Sequence, residues 1–172
     1  MSKRVQEYTV QRITYDSELP ITDVLARLDG FVHRDKSEGV ALSAVLQAKT
    51  KDELVRSINA ITDGFMLFGT LQHSRWLKVY FETEAIPGVF VYTIGNPLIA
   101  QTMLKHSLLA GLYVPPKLII IGKDVDERKG TKVVYDVPSS MIAAGDSGEL
   151  RKAALALDAK LEDLVRRITG AE

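Results

Sequence analysis

Three histidines are the residues best suited to acid–base chemistry or metal binding in this chain, and two lie in informative places. His73 follows a short apolar run and precedes the only tryptophan, Trp76, by three residues. That position suits the edge of a pocket. His106 follows Ile99 by seven residues and Met103 by three, a spacing that predicts a partly buried side chain on their helix face. Because an imidazole titrates near neutral pH, one hypothesis is a hydrolase-like enzyme that uses His73 or His106.

The segment Gly95-Asn96-Pro97 is a second candidate site, since it marks the start of a helix. Asn96 is a favourable N-cap, and proline suits the first helical position because its missing N–H would be unpaired there. Free N–H groups and the helix dipole could hold an anion at this point. A plain helix start with a tight turn explains the same residues, so both interpretations stay open.

Other catalytic or metal-binding patterns are weak. The chain has no cysteine, which removes disulfides, thiolate metal sites and cysteine nucleophiles. Ser139 and Ser140 follow Pro138 without a Gly-x-Ser-x-Gly elbow, and such serines usually form turns. In the enzyme hypothesis, a histidine would act with Asp136 or Ser139. We nevertheless expect a non-catalytic protein with no cofactor and no metal site.

Hydrophobic periodicity predicts the elements that position these residues. The pattern is polar and apolar alternation for strands and a period near 3.6 for helices. In chain order it predicts a strand at 5–15, a helix at 17–31, a loop at 34–39, an ambiguous segment at 40–48, a helix at 50–64, a strand at 65–68, a short helix or ordered loop at 73–81, a strand at 88–95, a helix at 97–111, strands at 117–122 and 131–137, and a helix at 146–170.

Capping patterns support three of these helices. Thr50 with Glu53 and Asp146 with Glu149 both have the spacing of a capping box. The helix that begins at Asn96 has few polar residues, so it should be covered on most of its circumference and lie at the centre of the fold. Its polar residues are Gln101, Thr102, Lys105, His106 and Ser107.

The element order predicts an α+β fold with a mostly antiparallel sheet, because helices mix with a hairpin rather than alternate with parallel strands. Helices would cover one face of the sheet. The other face must then be solvated or covered by a second subunit.

Length and charge set further limits. A chain of 172 residues is expected to form a single domain over residues 1–172. Its 22 basic and 22 acidic residues balance, which gives no reason to expect nucleic acid or a membrane as partner. The N-terminus has charges but no apolar core of a secretory signal, so we expect a cytoplasmic protein.

Three motifs together resemble the family called domain of unknown function 302. The first runs from Gly64 to Phe68 and continues with Leu71-Gln72-His73 and Trp76-Leu77. The second is Ile94 to Ala100 with Ala110 to Pro115, and it is the most specific. The third is Thr131 to Tyr135 with Val137 to Ser140. The resemblance covers about residues 50–169 and is weaker over 1–49. Ser107 departs from it, since related chains often have an acidic residue there.

The resemblance implies a compact fold similar to the TATA-binding-protein-like group, with a curved, mostly antiparallel sheet packed by a long C-terminal helix. It also implies a tendency to form homodimers. It brings no reaction, substrate or cofactor, and likeness to a DNA-binding fold does not by itself indicate DNA binding.

The sequence therefore favours binding of a small apolar or anionic ligand in a pocket between the sheet and the central helix. A homo-oligomeric interaction module, most simply a homodimer, is the alternative to this non-catalytic ligand binding. We expect Phe68 in the pocket wall as well. The candidate ligand-binding residues are His73, Trp76, Asn96, His106, Tyr113 and Tyr135.

Overall fold

The computed structural model describes residues 1–126 and 128–171. This part of the chain contains five strands and eight α-helices, together with one 3-10 helix at Leu108–Leu112. In chain order they are β1 Arg12–Ser17, α1 Ile21–Phe31, α2 Arg34–Ser37, α3 Ala41–Gln47, α4 Lys51–Asn59, β2 Met66–Gln72, α5 His73–Tyr80, β3 Val89–Gly95, α6 Pro97–Leu104, β4 Lys117–Gly122, β5 Thr131–Asp136, α7 Pro138–Ile142 and α8 Glu149–Thr169.

The five strands form one sheet in the order β1-β5-β4-β3-β2, and every neighbouring pair is antiparallel. β1 and β2 are therefore its two edges. The α+β fold with an antiparallel sheet and a long C-terminal helix is confirmed. The predicted hairpin of β4 and β5 is confirmed as well, with Ile119 opposite Val134.

One face of the sheet carries the hydrophobic core. α1 packs against β4, and α8 packs against β1 and β5. Because side chains alternate across a strand, every second strand residue enters this core. The largest fully or almost fully buried strand residues there are Tyr92, Ile94, Leu118, Ile120, Val133 and Tyr135.

Two predicted helix signals are confirmed by backbone geometry. The Thr50 hydroxyl accepts a hydrogen bond from the Glu53 N–H at 3.2 Å and caps α4. Gly170 ends α8 with φ of 72°, a conformation that glycine adopts without a steric cost. The ambiguous segment at 40–48 is the helix α3, whose Ala41 and Ala44 pack with Met66 in a second, smaller apolar cluster.

Three predictions about local structure are wrong. The N-terminal strand covers 12–17 rather than 5–15, because its pairing with β5 begins where Arg12 lies opposite Asp136. The predicted loop at 34–39 contains the single helical turn α2. Asp146 does not cap α8, since its carboxylate accepts a hydrogen bond from the Gly148 N–H before the helix begins.

The central helix is also shorter than predicted. α6 ends at Leu104, and the extended backbone of Ser107 separates it from the 3-10 helix. Leu108 is 84% exposed, so the second half of this segment is not covered as predicted. No helix in the described ranges is both long and apolar enough to cross a membrane.

Candidate functional site

An apolar cavity of about 230 Å³, named here the α6 cavity, lies where β2 begins and β3 ends. One side of it is formed by α6 and the chain that follows it, and the other side by the two strands. Leu157 of α8 contributes from the core. The lining side chains are almost all apolar and include Phe65, Phe68, Ile99, Ala100, Met103, Leu104 and Val114.

A close contact between glycine and proline closes one wall of the α6 cavity. A Cβ atom on Gly95 would lie 2.8 Å from the Cβ of Pro115, so only glycine allows this approach. The Ile94 N–H also donates to the carbonyl of Pro116 at 3.1 Å. Gly95 and Pro115, which both belong to the second motif, therefore pack against each other.

Asn96 lines the cavity and is 4% exposed, but its side chain is already engaged. Its Oδ1 accepts the Leu98 N–H at 2.8 Å, and its Nδ2 donates to the Gly64 carbonyl at 2.7 Å. Its backbone carbonyl accepts the N–H groups of Ile99 and Ala100. The N–H groups of Leu98, Ile99 and Ala100 at the start of α6 are thus satisfied within the chain, so none of these three is free to bind an anion.

The structure does not bring His73 and Trp76 to this cavity. Both lie on α5, which begins at the opposite end of β2 from Asn96. β2 has 7 residues, and its six residue-to-residue steps of about 3.3 Å correspond to roughly 20 Å. The Trp76 indole N–H donates to His73 Nδ1 at 3.0 Å, so these two residues form a local pair near the surface.

His106 is exposed and lies in the turn between α6 and the 3-10 helix. The prediction of a partly buried imidazole is wrong because α6 ends two residues before it. His106 therefore no longer shares a helix face with Ile99 and Met103.

The two tyrosines also lie outside the cavity lining. Tyr113 is partly buried beside it, and its hydroxyl contacts the hydroxyl of Tyr8, which raises the pKa of Tyr113. Tyr135 is 3% exposed in the core, and burial raises its pKa. Its hydroxyl has no hydrogen-bond partner within the described ranges. Of the six candidate residues, the cavity collects only Asn96, together with the expected Phe68.

The side chain of Asp136, one of the two partners in the enzyme hypothesis, is engaged elsewhere, and Ser139 is buried. Asp136 binds the Arg12 guanidinium through two hydrogen bonds of 2.6 and 3.0 Å. Ser139 is buried, and its N–H donates to Asp158. Among the described residues no group of three or more histidine, aspartate or glutamate side chains is placed to hold a metal ion.

A polar network around the middle of β3 was not predicted from the sequence. The Tyr92 hydroxyl donates to Asp29 at 2.9 Å, and the Arg34 guanidinium donates to both of them. Burial, followed by the hydrogen bond to Asp29, raises the pKa of Tyr92. Arg34 also holds Glu38 through two bonds of 2.8 Å, which lowers the pKa of that carboxylate. This network fastens α1 and α2 to β3.

The sequence comparison decides the family. The family described as "Domain of unknown function DUF302" matches residues 43–168. The chain belongs to the DUF302 family. A search of curated proteins found no match.

A solved structure extends the likeness to nearly the whole DUF302 chain. It is described as the crystal structure of an uncharacterized conserved protein DUF302 from Bacillus stearothermophilus. The TM-score is 0.63 at 15% sequence identity, and the match covers 91% of this chain and 97% of that one. At this identity the likeness establishes the fold.

Proposed function

We propose that this DUF302 protein binds a small apolar molecule in the α6 cavity. The observation that carries the proposal is the combination of an apolar lining with a single polar side chain, Asn96, whose hydrogen bonds are made within the protein. A charged ligand would lose its hydration there and could gain only the second N–H of the Asn96 amide. An apolar ligand would lose no hydrogen bonds.

The size of the α6 cavity limits the ligand. Its volume of about 230 Å³ exceeds the roughly 150 Å³ of an engineered apolar cavity that stays dry and binds benzene. A monocyclic aromatic molecule or a short branched hydrocarbon fits this space. Toluene is therefore a suitable first probe.

Methionine methyl groups provide a direct test. Met103 lines the cavity and is fully buried, whereas Met1 is exposed and Met141 is absent from the lining. Titration with toluene should shift the Met103 methyl resonance in a carbon–proton NMR spectrum and leave those of Met1 and Met141 in place. Unchanged Met103 resonances at saturating toluene would refute the proposal.

A matched pair of variants localises the binding. Ala100→Leu adds a side chain inside the cavity and should abolish the shift. Ala159→Leu makes the same change on the exposed surface of α8 and should leave the shift unchanged. Equal binding by both variants would place toluene elsewhere.

Self-association is a second candidate function, supported by the face of the sheet that points away from the core. Val91, Ile119 and Val134 lie next to one another across β3, β4 and β5 on this face and are partly exposed. An apolar row of this kind suits an isologous dimer contact. We expect Ile119→Lys to shift a dimer toward monomer in sedimentation velocity. A monomeric wild-type protein at micromolar concentration would remove this candidate.

A further inference from the structure

The groove between the second half of β2 and α5 is a surface of different character from the α6 cavity. We call it the edge groove; it is lined by Thr70, Leu71, Gln72, Arg75, Trp76 and Tyr80, together with Val79. It combines the edge of a sheet with the side of a helix.

Only half of this sheet edge is covered. The N–H of Leu67 donates to the Ser37 hydroxyl at 3.1 Å, and Met66 packs against Ala41, so α2 and α3 protect the start of β2. Outside the pairing with β3, none of the hydrogen bonds among described residues uses the backbone of residues 69–71. An edge strand directs alternate N–H and C=O groups outward, where another strand can bind them.

The side chains of the edge groove are unusually apolar for an exposed surface. Trp76 is 50% exposed and Tyr80 is 74% exposed, and Leu71 lies beside them on the strand. Exposed aromatic side chains are typical of the centre of a protein interface. The Thr70 hydroxyl is buried and has no hydrogen-bond partner in the described ranges, so an occupant could provide one.

The groove also has a positive charge without an ion-pair partner among the described residues. Lys78, three residues along α5, forms an ion pair with Glu84 at 3.1 Å. Arg75 forms none with the described residues, and no acidic side chain lines the edge groove. The charge complementary to this surface is a carboxylate.

We infer that the edge groove binds an extended peptide segment of another protein as an added strand on β2. The peptide backbone would pair with residues 69–71, apolar side chains would pack on Trp76 and Tyr80, and a glutamate or aspartate side chain would bind Arg75. Addition of a strand to an exposed edge beside a helix is an established mode of peptide recognition.

A second copy of the chain fits this surface less well. Pairing of β2 with its own copy about a twofold axis would bring both Arg75 guanidinium groups to one seam, and no acidic side chain lines the edge groove itself. The free edge is also short. A foreign peptide with a carboxylate satisfies both the backbone and the charge.

Trp76 makes the test direct because it is the only tryptophan in the chain. The probe is a panel of synthetic nine-residue peptides with capped ends, alternating apolar positions and one glutamate placed at each position in turn. At least one peptide should shift the Trp76 emission to the blue on binding. No shift with any peptide at millimolar concentration would overturn the inference.

Charge and backbone controls identify the binding mode. For the best peptide, Arg75→Gln should weaken binding about tenfold, as expected for loss of a charge-assisted hydrogen bond. Arg56→Gln on the exposed side of α4 should not weaken it. With glutamine in place of the peptide glutamate, wild type and Arg75→Gln should bind equally. Alternate peptide nitrogens form two sets, and only one set faces β2. N-methylation of that set should abolish binding, and N-methylation of the other set should not.

Three outcomes would contradict the inference. One is equal weakening of the glutamate and glutamine peptides by Arg75→Gln. Another is unchanged peptide binding after N-methylation of either set of alternate nitrogens. A third is a Trp76 emission that depends on protein concentration without peptide, which would assign the groove to a second copy. Ala100→Leu should retain peptide binding, so failure of the α6 cavity proposal would be distinguishable from failure here.

Discussion

The two ends of the β2–β3 strand pair have opposite characters. At the α6 end, Asn96 caps the helix, a glycine–proline contact closes a wall, and the surface that results is a partly open apolar cavity. At the α5 end, Gln72 makes no capping hydrogen bond, the sheet edge is bare, and aromatic side chains are exposed. The same two strands thus border a partly open apolar cavity at one end and an exposed groove at the other. The difference comes from the capping of α6 by Asn96 and from α2 and α3, which cover only the start of β2.

The largest expected effect is at the two helix starts. Asn96→Ala removes the cap of α6 and leaves the Gly64 carbonyl without its donor, so we expect the free energy of unfolding to fall by about 2–3 kcal/mol. Gln72→Ala at the start of α5 should lower it by less than about 0.5 kcal/mol. Urea denaturation of both variants measures the difference. Equal losses would mean that the two ends are equally well fastened.

Alanine substitution of the two strand glycines should again cost more stability at the α6 end than at the α5 end. Gly95→Ala places a Cβ 2.8 Å from that of Pro115, and this overpacking should cost about 1–3 kcal/mol and displace the wall of the α6 cavity. Gly69→Ala meets no heavy atom within 4 Å and should change stability by less than about 0.5 kcal/mol. Thermal unfolding tests the pair. Unchanged thermal stability and unchanged toluene binding in Gly95→Ala would contradict a tight contact between residue 95 and Pro115.

Two buried tyrosines test the region between the ends. Tyr92→Phe removes hydrogen bonds to Asp29 and Arg34 and should destabilise the protein by about 1–2 kcal/mol. Tyr135→Phe removes a buried hydroxyl without a partner and should stabilise it by about 1 kcal/mol. Urea midpoints measured at neutral pH decide the signs. A stabilising Tyr92→Phe would show that the network does not fasten β3.

The smallest effect is on the alkaline pH dependence of stability. The folded state raises the pKa of both Tyr92 and Tyr135 above that of an unfolded tyrosine, about 10. The unfolded chain therefore loses these protons first, and stability should fall as the pH rises above about 10. Tyr135→Phe should make this fall shallower in denaturation series from pH 8 to about 11. An unchanged slope would contradict the burial of Tyr135.

Local signals in the sequence predicted much of this fold. The caps at Thr50 and Asn96, the end of α8 at Gly170 and the β4–β5 hairpin depend on neighbouring residues, and all are confirmed. Met103 and Leu157 line the cavity, and helical periodicity predicted the helices that carry them but not a space between those helices.

The arrangement of the candidate site could not be predicted in the same way. His73 and Asn96 each border β2 or β3, but the sequence does not state which end of a paired strand a residue occupies until the register is known. Leu108 is apolar and was predicted to lie in the covered central helix. The break in the helix at Ser107 leaves its side chain exposed. Tyr135 was correctly predicted to lie in a strand, but its side chain packs in the core with residues of α8 and does not line the α6 cavity.

One titration with two reporters tests the separation of the two ends most directly. Toluene is added while the Met103 methyl resonance and the Trp76 emission are followed in the same protein. We predict that Met103 shifts with saturation and that Trp76 emission stays constant, because roughly 20 Å of strand separate the helix starts. A toluene-dependent change at Trp76 with no change at Met103 would contradict the account.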